Sequence, residues 1–192
     1  LYEEGESLFR QKAFAAAMPP LQAFIKQTDA EGAPVSAAGN KEEAEYMLVC
    51  AEYELRNPNS IELLREYLDT YPDTPHANRI CALIASAYFF EGKYDDALAM
   101  FNSSRLDLLS NEERDDMTYR LATCYLKTGN VKEAAIWFET LRSTGSRYTA
   151  DCTYYLAYIR YSQQRYDDAL SGFLSLQDLS LIHISEPTRL GM

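Results

Sequence analysis

The pentapeptide Tyr-Asp-Asp-Ala-Leu occurs twice in this chain, at Tyr94–Leu98 and at Tyr166–Leu170, 72 residues apart. Between them Val131-Lys132-Glu133-Ala134-Ala135 occupies the same slot, so the unit of recurrence is about 36 residues. A period of that size restricts the fold severely. One such unit cannot cover its own apolar face, and only stacking on a neighbour closes a continuous core. Each copy places a small residue four positions before an aromatic, giving the pairs Ala97/Phe101, Ala134/Phe138 and Ala169/Phe173. Residues four apart share one helix face. Upstream lies a second helical stretch with its own small residue: Ile84-Ala85-Tyr88, Leu121-Ala122-Tyr125 and Leu156-Ala157-Arg160. Gly92 and Gly129 stand between the two stretches, where a left-handed residue ends a helix at low cost. The unit is therefore a helix pair, with small residues admitting close approach and aromatics filling the gap.

This arrangement resembles the tetratricopeptide repeat, two antiparallel helices in ~34 residues. The resemblance implies an all-α fold, a right-handed α–α superhelix of about five helix pairs. Its approximate units are 1–40, 41–74, 75–110, 111–146 and 147–178. Two diverged units precede the three clear ones. In the first, Gly5 and Leu8 are followed by Phe14, Ala17 and Leu21. In the second, Cys50 and Tyr53 are followed by Ser60, Leu64 and Pro72, and the turn at Asn57-Pro58-Asn59 is about two residues short of the pattern. Tyr71-Pro72-Asp73-Thr74-Pro75 stops that unit, with Pro75 placed to open the next helix. Asp29–Asn40, containing Gly32, Pro34 and Gly39, reads as an irregular loop that widens the first spacing.

Composition removes several function classes. The 192 residues carry 18 Lys and Arg against 29 Asp and Glu, a net charge of −11, which is unsuited to a nucleic-acid backbone. No apolar run approaches the ~18 residues of a membrane span, so no direct membrane insertion is expected. Four cysteines never form Cys-x-x-Cys, and the chain has two histidines. No metal or cofactor site is expected. Cys50, Cys81, Cys124 and Cys152 all fall in first helices and read as small buried hydrophobes. His76 follows Thr74-Pro75 at a helix start, where an exposed or cap-adjacent role is expected, and no Gly-x-Ser-x-Gly nucleophile accompanies it. The paired acids Asp95-Asp96 and Asp167-Asp168 sit in the first turn of second helices, where they meet the helix dipole favourably. No catalytic residue is assigned, and the chain does not read as an enzyme.

In the resembled family, first helices line a groove whose fixed slots contact protein segments. The corresponding positions are Arg79, Ser86, Phe89, Asp116, Tyr119, Thr123, Lys127, Asp151, Tyr154, Tyr158 and Tyr161. Fifteen tyrosines in the chain make this set rich in a side chain that combines apolar area with a polar tip. Two readings stand for each tyrosine: recognition of a partner, or packing between adjacent helices. A subclass of the family holds C-terminal carboxylates with a Lys/Asn/Arg clamp. The matching slots here carry Tyr, Thr and Ala, so that activity is not implied. The function implied is a non-catalytic scaffold that binds a peptide or protein partner in its groove. The alternatives are an accessory repeat region of a longer enzyme or regulator, and a periplasmic envelope-assembly or cell-division factor. Tyr71-Pro72-Asp73-Thr74-Pro75-His76-Ala77 resembles a unit boundary common in repeat proteins of the bacterial periplasm. That leans the location toward the bacterial periplasm or cell envelope, with the cytoplasm still open. Leu1 is not an initiator Met, which reads as a cut fragment. Residues 179–189 resemble a translated sequencing adapter, so 179–192 are set outside the repeat array as a non-native tail; the alternative is a genuine amphipathic tail. Oligomeric state has no sequence signal.

Overall fold

A computed structural model describes residues 1–29 and 37–185, with side chains described for 1–29 and 40–177. The described residues form ten α-helices and no strand. These are α1 (Tyr2–Arg10), α2 (Phe14–Thr28), α3 (Ala37–Glu54), α4 (Ser60–Thr70), α5 (Ala77–Phe90), α6 (Tyr94–Asn102), α7 (Asn111–Lys127), α8 (Val131–Ser143), α9 (Thr149–Ser162) and α10 (Tyr166–Ser185). A short 3-10 turn, Leu106–Leu108, lies between α6 and α7. The chain divides into two compact units, Leu1–Ala87 and Tyr88–Met192.

Within the first unit α1 packs on α2, α2 on α3 and α3 on α4. Within the second, α6 packs on α7, α7 on α8, α8 on α9 and α9 on α10. Local chemistry fixes several helix starts. Ser110 caps α7 by accepting from the Glu113 N–H, and its hydroxyl donates to the Glu113 carboxylate at 2.9 Å. The Asn130 side chain accepts from the Glu133 N–H at the start of α8. Asp95-Asp96 and Asp167-Asp168 occupy the first turns of α6 and α10, where the orphan N–H groups favour negative charge.

The feature that keeps the pairs in register is the turn between their helices. Lys12, Arg56, Gly92, Gly129 and Gln164 all have positive φ, between 57° and 82°. At each, its own N–H donates to the carbonyl three residues back and the next N–H donates to the carbonyl five back, as in Gly129→Leu126 at 3.2 Å and Asn130→Tyr125 at 2.8 Å. This is the Schellman closure, repeated five times among the described residues. Buried small residues flank it symmetrically: Gly5 and Ala17, Ala85 and Ala97, Ala122 and Ala134, Ala157 and Ala169 are each twelve apart. Their size is required. A Cβ on Gly5 would lie 2.6 Å from Leu21 Cδ2, and one on Gly172 would lie 2.8 Å from the Ala157 Cβ. In the second pair the same positions about Arg56 are Val49 and Ile61, also twelve apart, so the spacing across Asn57-Pro58-Asn59 is not the shortened one expected, and larger residues take the slots.

Large side chains fill the space this leaves. Phe138 is fully buried, stacked on Tyr155 with ring centroids 5.0 Å apart, and Phe101 is buried likewise. Phe173, in the same slot of α10, packs edge-on against Tyr154 and stays 36% exposed. Cys50, Cys124 and Cys152 are buried thiols and Cys81 is half-buried, and none of the four is in a disulfide. Burial pushes the Cys124 and Cys152 thiols up to about 12, which keeps them protonated.

The structure departs from two further sequence expectations. α3 begins at Ala37, so Ala37–Asn40 are helical rather than part of a loop; residues 30–36 of that stretch lie outside the described residues. α5 begins at Ala77, two residues after Pro75, because Thr74 first closes a turn onto Ala77. His76 stands immediately before α5, in the cap-adjacent place expected, with its ring half-buried and stacked on Tyr46 at 3.6 Å. The expectation about the tail falls largely outside the described residues, although the helical backbone of α10 continues to Ser185.

Lys12 and Gln164 carry side chains in a conformation that costs an L-residue roughly 1–2 kcal/mol. Lys12→Gly and Gln164→Gly are each expected to raise stability by about 0.5–1 kcal/mol, and Gly129→Ala to lower it by about 1 kcal/mol. Urea unfolding of the three variants reads this, and glycine variants no more stable than the parent contradict it.

Candidate functional site

Counting back from each left-handed turn residue places the first-helix side chains on a common scale. Thirteen residues before it stand Glu43, Arg79, Asp116 and Asp151; ten before it stand Tyr2, Tyr46, Ala82, Tyr119 and Tyr154. Sixteen before it stand His76 and Tyr148, each at the start of a first helix. These slots build a clamp between successive first helices, seen once in each unit.

In the first unit the His76 ring lies flat on Tyr46, 7° from parallel, and its Nε2 is hydrogen-bonded to Glu43 Oε2 at 2.8 Å. Arg79 donates from Nη1 to the Tyr46 hydroxyl at 2.6 Å, and Tyr71 donates to Glu45 at 2.6 Å. Burial raises the Tyr46 hydroxyl above its ordinary range, so it remains a neutral acceptor for Arg79. In the second unit the Tyr148 ring stacks on Tyr119 at 4.4 Å and 12°, and its hydroxyl donates to Asp116 Oδ1 at 3.0 Å. Arg147 donates to the same oxygen at 2.6 Å and lies 5.0 Å from the Tyr148 ring centroid. Burial raises both Tyr119 and Tyr148. An acid, a platform ring and an incoming ring with a donor thus recur at the same offsets from the turn residues.

The eleven residues assigned to the groove separate accordingly. Ser86 is fully buried, and Thr123 is buried with its hydroxyl donating to the Tyr119 carbonyl at 2.8 Å, so neither presents a side chain at the surface. Arg79, Asp116 and Tyr119 are half-buried and engaged in the clamps. Phe89 is half-buried, edge-on to Phe90 and Tyr94. Lys127 is exposed at the end of α7. On α9 the structure brings the remaining four together: Asp151 is exposed, and Tyr154, Tyr158 and Tyr161 are 48%, 49% and 57% exposed along one helix face. Sequence reasoning missed Arg147, Tyr148 and the part His76 plays. Aligning the units on their turn residues would have found them, but the turn positions at Arg56 and Gln164 are not glycine.

Elsewhere in the second unit, Trp137 lines a cleft of about 410 Å³ with Phe101, Leu106 and Leu121. Among the described residues no group of His, Cys, Asp and Glu could hold a metal ion, and no helix is long and apolar enough to cross a membrane.

The tetratricopeptide repeat family model matches residues 82–148. Residues 82–148 belong to the tetratricopeptide repeat family. Among solved structures, MamA from AMB-1 superposes with a TM-score of 0.66 at 18% identity, covering 93% of this chain and 88% of that one. MamA from MSR-1 gives 0.65 at 18% identity, covering 94% and 95%. A kinesin light chain of nearly identical TPR-like repeats from Podosopora anserina gives 0.60 at 14% identity, covering 92% and 91%. At these identities the likeness is one of fold. No curated protein matches the sequence. Tetratricopeptide-repeat proteins are in general non-catalytic scaffolds for protein partners, and the fold supports that general role here.

If the second-unit clamp is a real coupling, Asp116→Asn and Tyr148→Phe will not be additive. A double-mutant cycle in urea is expected to give a coupling of about 0.5–1.5 kcal/mol. Additive losses would contradict a shared hydrogen bond.

Proposed function

We propose that this protein is a non-catalytic scaffold that binds a protein segment along the outer face of α9. Asp151, Tyr154, Tyr158 and Tyr161 form the contact, and Lys127 on α7 extends the polar margin. The observation that carries this reading is the exposure of three tyrosines on one face of a single helix. Tyr119, Tyr148 and Tyr155, in the same unit, are at most half-exposed and packed ring to ring. Helix packing absorbs those rings, whereas the α9 stripe keeps about half its surface exposed, with Tyr154 touching Phe173 and Tyr161 touching Tyr166 only edge-on. Tyrosine suits recognition because a large rigid ring orders at small entropic cost and its hydroxyl adds a directional bond. A stripe of three such rings with an acid at one end can hold an extended segment or a helix face.

The test is selection of a displayed random-peptide library on the full chain, followed by measured affinities for the enriched peptides. The triple variant Tyr154→Ala, Tyr158→Ala, Tyr161→Ala is expected to weaken them by at least about tenfold, corresponding to roughly 1.4 kcal/mol. Enriched peptides that bind the variant equally well would remove α9 as the site.

A further inference from the structure

The two clamps have a counterpart on α9. Thirteen and ten residues before Gln164 stand Asp151 and Tyr154, the same acid and platform ring as Glu43 with Tyr46 and Asp116 with Tyr119. In those two copies the pair receives a ring bearing a donor, His76 or Tyr148, stacked at 3.6 and 4.4 Å and hydrogen-bonded to the acid at 2.8 and 3.0 Å. On α9 the acid and the ring are both exposed. From this repetition we infer that Asp151 and Tyr154 form a receptor for a partner segment presenting a tyrosine or histidine ring preceded by a cation. This rests on the reading of α9 as the binding face and names the chemistry of what binds there.

The cation comes from the fuller of the two copies, where Arg147 and the Tyr148 hydroxyl converge on one oxygen of Asp116. An exposed carboxylate in a chain of net charge −11 favours the same complement. Another helix pair stacked in the regular way is the less suitable occupant. Six residues before the turn residue, the central pairs carry the small buried side chains Cys50, Ser86 and Thr123, whereas α9 carries Tyr158, 49% exposed. A ring there stands where regular stacking buries a small side chain, and it extends the platform from Tyr154 towards Tyr161. A slimmer segment than a helix pair can lie along it.

The probe is a capped peptide of sequence Gly-Ser-Arg-Tyr-Thr-Ala, copying residues 145–150, titrated into the isotope-labelled full chain and followed by amide chemical shifts. The inference expects shifts concentrated in residues 151–161 at millimolar peptide. It further expects at least a fivefold weaker Kd for Asp151→Asn, for Tyr154→Ala, and for the same peptide with phenylalanine in place of tyrosine. Shifts centred on the Trp137 cleft, an unaltered Kd with Asp151→Asn, or equal binding of the phenylalanine peptide would overturn it. Concentration-dependent shifts on α9 without peptide would also overturn it, by assigning the face to a second copy of the chain. If this peptide fails while library-selected peptides still depend on the three tyrosines, the receptor is wrong and the binding face stands. If neither depends on α9, both are wrong.

Discussion

The register of the array rests on one backbone feature, the left-handed residue that closes each first helix. Its two hydrogen bonds satisfy carbonyls that would otherwise be orphaned, and they fix where the second helix starts. With that start fixed, Gly5 faces Leu21 and Gly172 faces Ala157 at distances that no added Cβ would survive. The close approach then sets how far apart the two helices of a pair stand, and hence which side chains are large: Phe101, Phe138 and Leu21 fill the space the small residues leave. A turn shifted by one residue would rotate the second helix by about 100° and bury a different face. The whole sequence pattern follows from that sensitivity.

On this frame the first helices carry a second layer of chemistry. Stacked rings tied to a neighbouring acid join successive first helices at His76 and Tyr148, and burial keeps the tyrosine hydroxyls protonated so that they work as neutral donors and acceptors. These contacts add direction to an interface whose apolar part is tolerant of sliding. The functional reading turns on the same parts used differently. Asp151 and Tyr154 keep the acid and the platform, and Tyr158 replaces a small residue, so α9 exposes a wall of rings.

The clear repeats were legible because their signals are sterically forced. Ala97, Ala134 and Ala169 are fully buried, and Gly92 and Gly129 sit at positive φ. Lys12, Arg56 and Gln164 were not legible as turn residues. An L-residue in that conformation costs only roughly 1–2 kcal/mol, which packing on either side can offset, so glycine is a preference there and not a requirement. The groove assignments were legible only in part. A slot inherited from the family tells which way a side chain leaves its helix, but not whether the neighbouring helix has already taken it. That is why Ser86 and Thr123 are buried and Asp116 is committed to Arg147 and Tyr148, while Asp151, Tyr154, Tyr158 and Tyr161 remain at the surface. For His76 only the cap-adjacent position was legible, since its ring contacts depend on Tyr46 and Glu43, 30 and 33 residues away.

The central claim is that α9 is a recognition surface for a protein segment. Hydrogen exchange of the full chain with and without a saturating selected peptide tests it most directly. The account predicts that slowing on binding is concentrated in residues 149–162, with little change in α6 or in the 3-10 turn beside the Trp137 cleft. Slowing centred on those segments, with 149–162 unchanged, would contradict it.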